Sequence, residues 1–162
     1  MYSAYGSATQ LSRGTTNLHL DVSDAINVLV HVSMPADAIN MDEYSMKSVW
    51  SAINDAGSDF VSRMRVRDEN KFAGAIWHIY DPQDARAIRT LLTEYAKNKG
   101  KPLGQNSDPI HDQTFYLDSQ LRKDLLEHYD VEGYCILQLE GDAIFIPAGA
   151  PHQVTFLNLK IK

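Results

Sequence analysis

The sequence predicts a mainly β domain with helical insertions. Segments at both ends read as strands, a largely helical stretch of about residues 40–130 separates them, and 162 residues at 44% hydrophobic composition suffice for one core. Strands flanking a helical insertion are expected to pair with each other, which brings residues distant in sequence into one β-structure.

At the N-terminal end "NLHLDV" and "INVLVHV" alternate or run apolar with β-branched residues, and "SDA" at Ser23 to Ala25 is expected to break the strand between them. After Gly133, "YCILQL", "AIFIP" and "VTFLNLKIK" carry the same signal. "LEGDA" joins two of them as a short turn, with Gly141 supplying the permissive backbone. In the middle, Asp81 can cap a helix, Pro82 fits its first turn, Ala85, Ile88, Leu91, Leu92 and Tyr95 recur at helical spacing, and Gly100 closes it. A second helix is predicted from Asp118 to about Tyr129, with Leu121 and Leu125 on one side, and a third from Asp42 to about Ala56.

Charge and composition narrow the function. A net charge of −6 argues against a nucleic-acid backbone as the main partner, and no direct DNA-binding motif is present, whereas a basic peptide would not be repelled. Arg63, Arg65 and Arg67 read as the solvated face of a loop or strand. Cys135 is the sole cysteine, so the chain can form no internal disulfide framework or zinc cluster, and the residue reads as a buried packing thiol in a reducing compartment. The start, "MYSAYGSATQ", has neither a basic nor an apolar targeting region, and no run reaches membrane-spanning length. An intracellular protein with no membrane partner is the expectation.

Residues two apart on a strand share a face, so His19 and Asp21 should project together while Leu18, Leu20 and Val22 face the other layer. On its own a His-x-Asp pattern is more often a pair bonded to each other or to solvent. His152 changes the balance. It follows "IPAGAP", where Pro147 and Pro151 fix the backbone and Gly149 allows a tight turn that can aim an imidazole inward. Two histidines and one carboxylate form the facial set that holds Fe(II) and leaves positions open for substrate and oxygen. The other histidines have plainer readings: His31 as a core or rim residue, His78 as a packed and hydrogen-bonded one, His111 with Asp112 as a loop brace, and His128 as a cation at a helix end.

Four blocks, "GTTNLHLDVSDAINVLVHV", "AIWHIYDPQDARAIR", "DPIHDQTFYLD" and "GDAIFIPAGAPHQV", resemble in order and spacing the Jumonji C domain of lysine demethylases. The resemblance is to the Hairless-related branch, associated with mono- and dimethyl marks on histone H3 lysine 9. It implies a double-stranded β-helix, the cupin-like jelly roll, with residues 1–162 forming a single partial domain, because family domains extend further at both ends. It also implies an Fe(II)- and 2-oxoglutarate-dependent dioxygenase that uses O2, acts on a methylated histone tail peptide in chromatin, works in the nucleus, and releases formaldehyde, succinate and CO2. The iron ligands carry over to His19, Asp21 and His152, and a co-substrate-binding hydroxyl to Thr16. Many relatives place an anchoring Lys after the His-x-Asp strand, but none occurs here between Asp21 and Lys47. The branch instead resembles this chain in a Lys ten residues past the final ligand, here Lys162, which would need a hairpin near Asn158 to reach back and would compete with Lys160. The alternatives are a chromatin-associated binding module that keeps the fold without turnover and a generic metal-binding cupin.

Overall fold

The computed structural model describes residues 16–32, 43–68 and 73–157. In chain order the elements are strands β1 (Thr16–His19) and β2 (Ala25–Val28), helices α1 (Glu43–Asp55) and α2 (Phe60–Asp68), and strand β3 (Ala73–Ile79). Helices α3 (Ala85–Asn98) and α4 (Ser119–Tyr129) follow, and strands β4 (Tyr134–Leu139), β5 (Ala143–Ile146) and β6 (His152–Phe156) complete the order.

The helices start and stop where local chemistry dictates. The Asp81 carboxylate accepts from the Gln83 N–H, capping a 3-10 turn at Pro82–Asp84 that leads into α3, and Gly100 ends the segment at φ +71°. Asp118 caps α4 by accepting from the Leu121 N–H at 2.9 Å. The amphipathic spacing read from the sequence buries Ile88, Leu91, Leu92, Leu121 and Leu125 in one cluster with Leu18, Tyr80, Ile110 and Leu117. The predicted start of α1 at Asp42 lies outside the described residues.

Among the described residues all strand pairs are antiparallel. One sheet runs β1-β6-β3-β4 and the other β2-β5. The residues brought together by β1 and β6 come from the two ends of the chain, as the sequence suggested. Between the two sheets lie Ala75, Trp77, Ile79 and Val154 from one and Ile144 and Ile146 from the other, with Ala150 beside them. On the opposite face of the larger sheet, Val49 and Ile53 of α1 and Val66 of α2 pack against Ile76, Leu137 and Leu139. This is the layering of a cupin-like jelly roll, two facing antiparallel sheets with helices outside.

Two expectations are corrected. The stretch 40–130 is not uniformly helical, because β3 lies within it at the centre of the larger sheet, all seven residues buried. A strand covered on both faces shows no period-2 alternation and no helical stripe, so "AGAIWHI" gives little periodic signal. Arg63, Arg65 and Arg67 lie on a helix, α2, and the Arg65 guanidinium grips Asp142 of the β4–β5 turn through bonds of 2.8 and 2.6 Å.

Candidate metal centre

The β1–β6 register sets His19 opposite His152. Asp21 lies two residues past the end of β1, so the expected alternation along a single strand does not hold. Leu18 is fully buried as predicted, but Val22 is 91% exposed, and the register shifts between Thr16 and His19. Backbone bonds rather than strand parity bring Asp21 in. The Gly149 N–H donates to the Asp21 carbonyl at 2.8 Å, and the Ala148 N–H donates to the Asp24 carboxylate at 2.8 Å. Gly149 adopts φ +75°, which gives the "IPAGAP" loop the turn it needs to sit on that segment.

One candidate ligand atom from each of His19, Asp21 and His152 lies within 4.8 Å of the others. His152 Nε2 is 3.9 Å from an Asp21 carboxylate oxygen, and the two imidazole centroids are 4.1 Å apart. Each imidazole is held in the same way, with Nδ1 of His19 2.8 Å from the Asn17 carbonyl and Nδ1 of His152 3.0 Å from the Ala150 carbonyl. A carbonyl can only accept, so both Nδ1 atoms carry a proton, which in a neutral ring leaves the lone pair on Nε2. Burial of His152 draws its pKa below the ordinary histidine value, and His19 adds to this against the opposing pull of the Ala150 carbonyl and Asp21. The ring is therefore neutral near pH 7, the form that coordinates a metal. Two imidazole nitrogens and one carboxylate oxygen fit Fe(II).

The segment before α4 braces both strands that carry the candidate histidines. The Leu18 N–H donates to the Phe115 carbonyl, and the Asn17 side chain donates to the Gln113 carbonyl. On the other strand, the buried Gln153 carboxamide accepts from the Leu117 N–H and donates to the Leu117 carbonyl, both at 2.8 Å. His111 itself is exposed; it is the backbone beyond it that does the bracing.

The remaining predicted residues fall elsewhere. Thr16 opens β1, half-buried, opposite Val154. Lys162, Lys160 and the hairpin proposed near Asn158 lie outside the described residues. His31 is exposed beside Glu140 at 3.4 Å. His78 is buried on the helix-covered face, bonded through Nε2 to the Ala56 carbonyl, and burial with the nearby Arg122 pushes its pKa down to about 4. Cys135 is only partly buried, and loss of solvent pushes its thiol up to about 11, which keeps it protonated at neutral pH. Two adjoining cavities of about 320 and 250 Å³ share Ala56, His78 and Arg122 on that same helix-covered face. The three candidate ligands line neither.

Sequence reasoning missed Trp77 and Gln138. The Trp77 indole stacks on His152 with centroids 6.1 Å apart, and its Nε1–H donates to Gln138 at 2.8 Å. A tryptophan within an unrecognised strand gave no signal of this.

A model of the JmjC domain, described as a hydroxylase, matches residues 63–162, more than half of the chain. The chain belongs to the JmjC family. The matched region of this JmjC chain includes His152, and curated relatives align further, over His19 and Asp21 as well. It is 48% identical over 162 residues to lysine-specific demethylase 3 of Drosophila melanogaster, covering 100% of this chain and 19% of that protein. It is 46% identical over 164 residues to human lysine-specific demethylase 3A, again over 100% of this chain, and 12% of the relative. A human relative, probable JmjC domain-containing histone demethylation protein 2C, is 40% identical over 154 residues, 94% of this chain and 6% of its own length. The JmjC chain thus spans less than a fifth of these curated relatives. Among the described residues no helix is long and apolar enough to cross a membrane.

Proposed function

We propose that this chain carries the iron-binding core of a histone lysine demethylase, with His19, Asp21 and His152 as the metal ligands and mono- or dimethyl-lysine 9 of histone H3 as the substrate. The observation that carries the reading is the pair of imidazoles with Nδ1 locked onto carbonyls, their Nε2 lone pairs left free beside one carboxylate. Such carbonyl partners fix the tautomer and ring orientation of metal-binding histidines. When bound, iron with 2-oxoglutarate and O2 supplies the oxidation of an N-methyl group, with formaldehyde, succinate and CO2 as products.

The chain's own residues do the rest. Asp21 contributes charge to the donor set, and its partial exposure keeps that side of the centre open to an incoming peptide. His152, 3% exposed and backed by Trp77, closes the inner side to water. A chain of net charge −6 favours approach of a basic histone tail. Thr16 and Lys162 are the proposed contacts of the 2-oxoglutarate carboxylate, and the nucleus is the proposed compartment, with chromatin as the setting.

The test is to add Fe(II) and 2-oxoglutarate to the purified chain without oxygen and record the visible charge-transfer band, with His19→Ala and His152→Ala as controls. A band lost in both variants, followed by formaldehyde release from a dimethyl-lysine 9 peptide once oxygen is admitted, is the expected result. No band from a folded sample overturns the metal centre. A band without formaldehyde overturns the demethylase and leaves a binding module.

A further inference from the structure

We propose that Gln138 is a positioning residue for His152, acting through Trp77. The inference rests on the reading of His152 as a metal ligand. Gln138 lies on β4 with 0% exposure, its carboxamide directed toward Asn27 of β2 in the smaller sheet. An amide in such a place is costly unless every polar atom is matched, and a leucine or methionine would fill the volume without that demand. Here all are matched. Its Oε1 accepts from the Trp77 indole N–H at 2.8 Å, and its Nε2 lies 3.3 Å from the Asn27 carbonyl, 3.2 Å from Asn27 Oδ1 and 3.2 Å from the Asp142 carbonyl.

The pattern allows one orientation of the amide. The indole can only donate and the two carbonyls can only accept, so a flipped Gln138 would lose its bonds at both ends. Gln138 therefore ties β4 of the larger sheet to β2 of the smaller one and pins the edge of the Trp77 ring. The indole in turn lies at 27° to the His152 ring. With Nδ1 held by the Ala150 carbonyl and one face held by Trp77, the imidazole is restrained against rotation about both of its side-chain bonds. The direction of the Nε2 lone pair follows. Outer partners of metal-binding histidines typically change metal affinity by about 10–100-fold when removed.

The experiment loads the full chain with Co(II), whose visible bands report ligand geometry, and compares it with Trp77→Phe, Gln138→Met and the double variant. Trp77→Phe keeps an aromatic face but removes the N–H, and Gln138→Met keeps the volume but removes the amide. Both are expected to weaken Co(II) binding by roughly tenfold or more and to shift the bands, in samples that circular dichroism shows to be folded. The double variant is expected to match the more affected single one, because the two residues act in series. If Gln138→Met does not fold, Trp77→Phe carries the same test alone. Folded variants that melt earlier yet bind Co(II) with unchanged affinity and spectrum overturn the inference and leave Gln138 a purely structural clamp. Absence of Co(II) binding by the unsubstituted chain is a separate result, which overturns the metal centre itself and this inference with it.

Discussion

The backbone N–H of Gly149 donates to the carbonyl of Asp21 at 2.8 Å, fastening the loop that aims His152 to the segment that carries the carboxylate. With the Ala148 N–H bond to the Asp24 carboxylate, it links the two halves of the candidate donor set outside the strand ladder, and it depends on a residue at φ +75°.

Gly149→Ala tests that dependence. Forcing a Cβ into the left-handed region costs roughly 1–2 kcal/mol, partly offset by a stiffer unfolded chain. The expected outcome is a melting temperature lower by about 2–4 °C per kcal/mol, with weaker Fe(II) binding than any stability loss alone explains. Space is not the problem, since an added Cβ would meet only Pro82 at 3.9 Å.

Leu18→Ala is expected to act on stability and on the site together. Leu18 is fully buried among Tyr80, Leu117 and Leu121, directly before His19. Truncation should cost about 2–5 kcal/mol in urea unfolding. Because the same residue seats the strand that presents His19, metal affinity should fall as well, whereas Leu92→Ala, buried in the same cluster but distant in sequence from the ligands, should affect stability alone.

Acid should destabilise the fold through His78. Its pKa falls from 6.5 to about 4 on folding, so between those values the unfolded chain binds more protons and stability rises with pH. The stability is fully present above about pH 6.5, is lost progressively as pH falls toward 4, and levels off below it; the total is about 3 kcal/mol. His78→Gln should flatten that part of the stability curve, as read from urea melts at pH 7 and pH 5. A slope unchanged in the variant would assign the acid sensitivity to another group.

Asp142 should matter more than its ion-pair partner. Arg65 is 41% exposed, and a pair of this kind contributes about 0.2–1 kcal/mol after solvent screening. Asp142 also accepts from the Leu139 N–H at 2.9 Å in the β4–β5 turn. Asp142→Ala is therefore expected to cost about 1–3 kcal/mol and Arg65→Ala less than about 1 kcal/mol, an order that paired denaturant curves can check.

The sequence was legible where local chemistry governs. The α3 and α4 boundaries follow from Asp81, Pro82, Gly100 and Asp118, whose roles are decided within a few residues of themselves. That His19, Asp21 and His152 lie together was legible, because the two ends of the chain were expected to pair. How Asp21 arrives was not legible, since it depends on a hydrogen bond to a residue at the far end of the chain. Strand β3 was hidden by its own burial on both faces, and with it Trp77; the bond of Trp77 to Gln138 on the neighbouring β4 appears only once those two strands pair. The arginine cluster was misread for a related reason, because the feature that gives Arg65 its role is Asp142, which lies in a distant turn.

The pairing of β1 with β6 has a kinetic consequence. Thr16 meets Val154 only by closing a loop that contains nearly every other element, including both helical pairs and the β3–β4 ladder. Closing so long a loop is entropically unfavourable until the intervening segments have condensed, and contacts of this span slow folding. On the ribosome, His19 and Asp21 emerge well before β6 with His152. The nascent chain can therefore form its helices and central hairpin before the proposed metal ligands meet, and on that proposal iron would enter a folded framework rather than seed it.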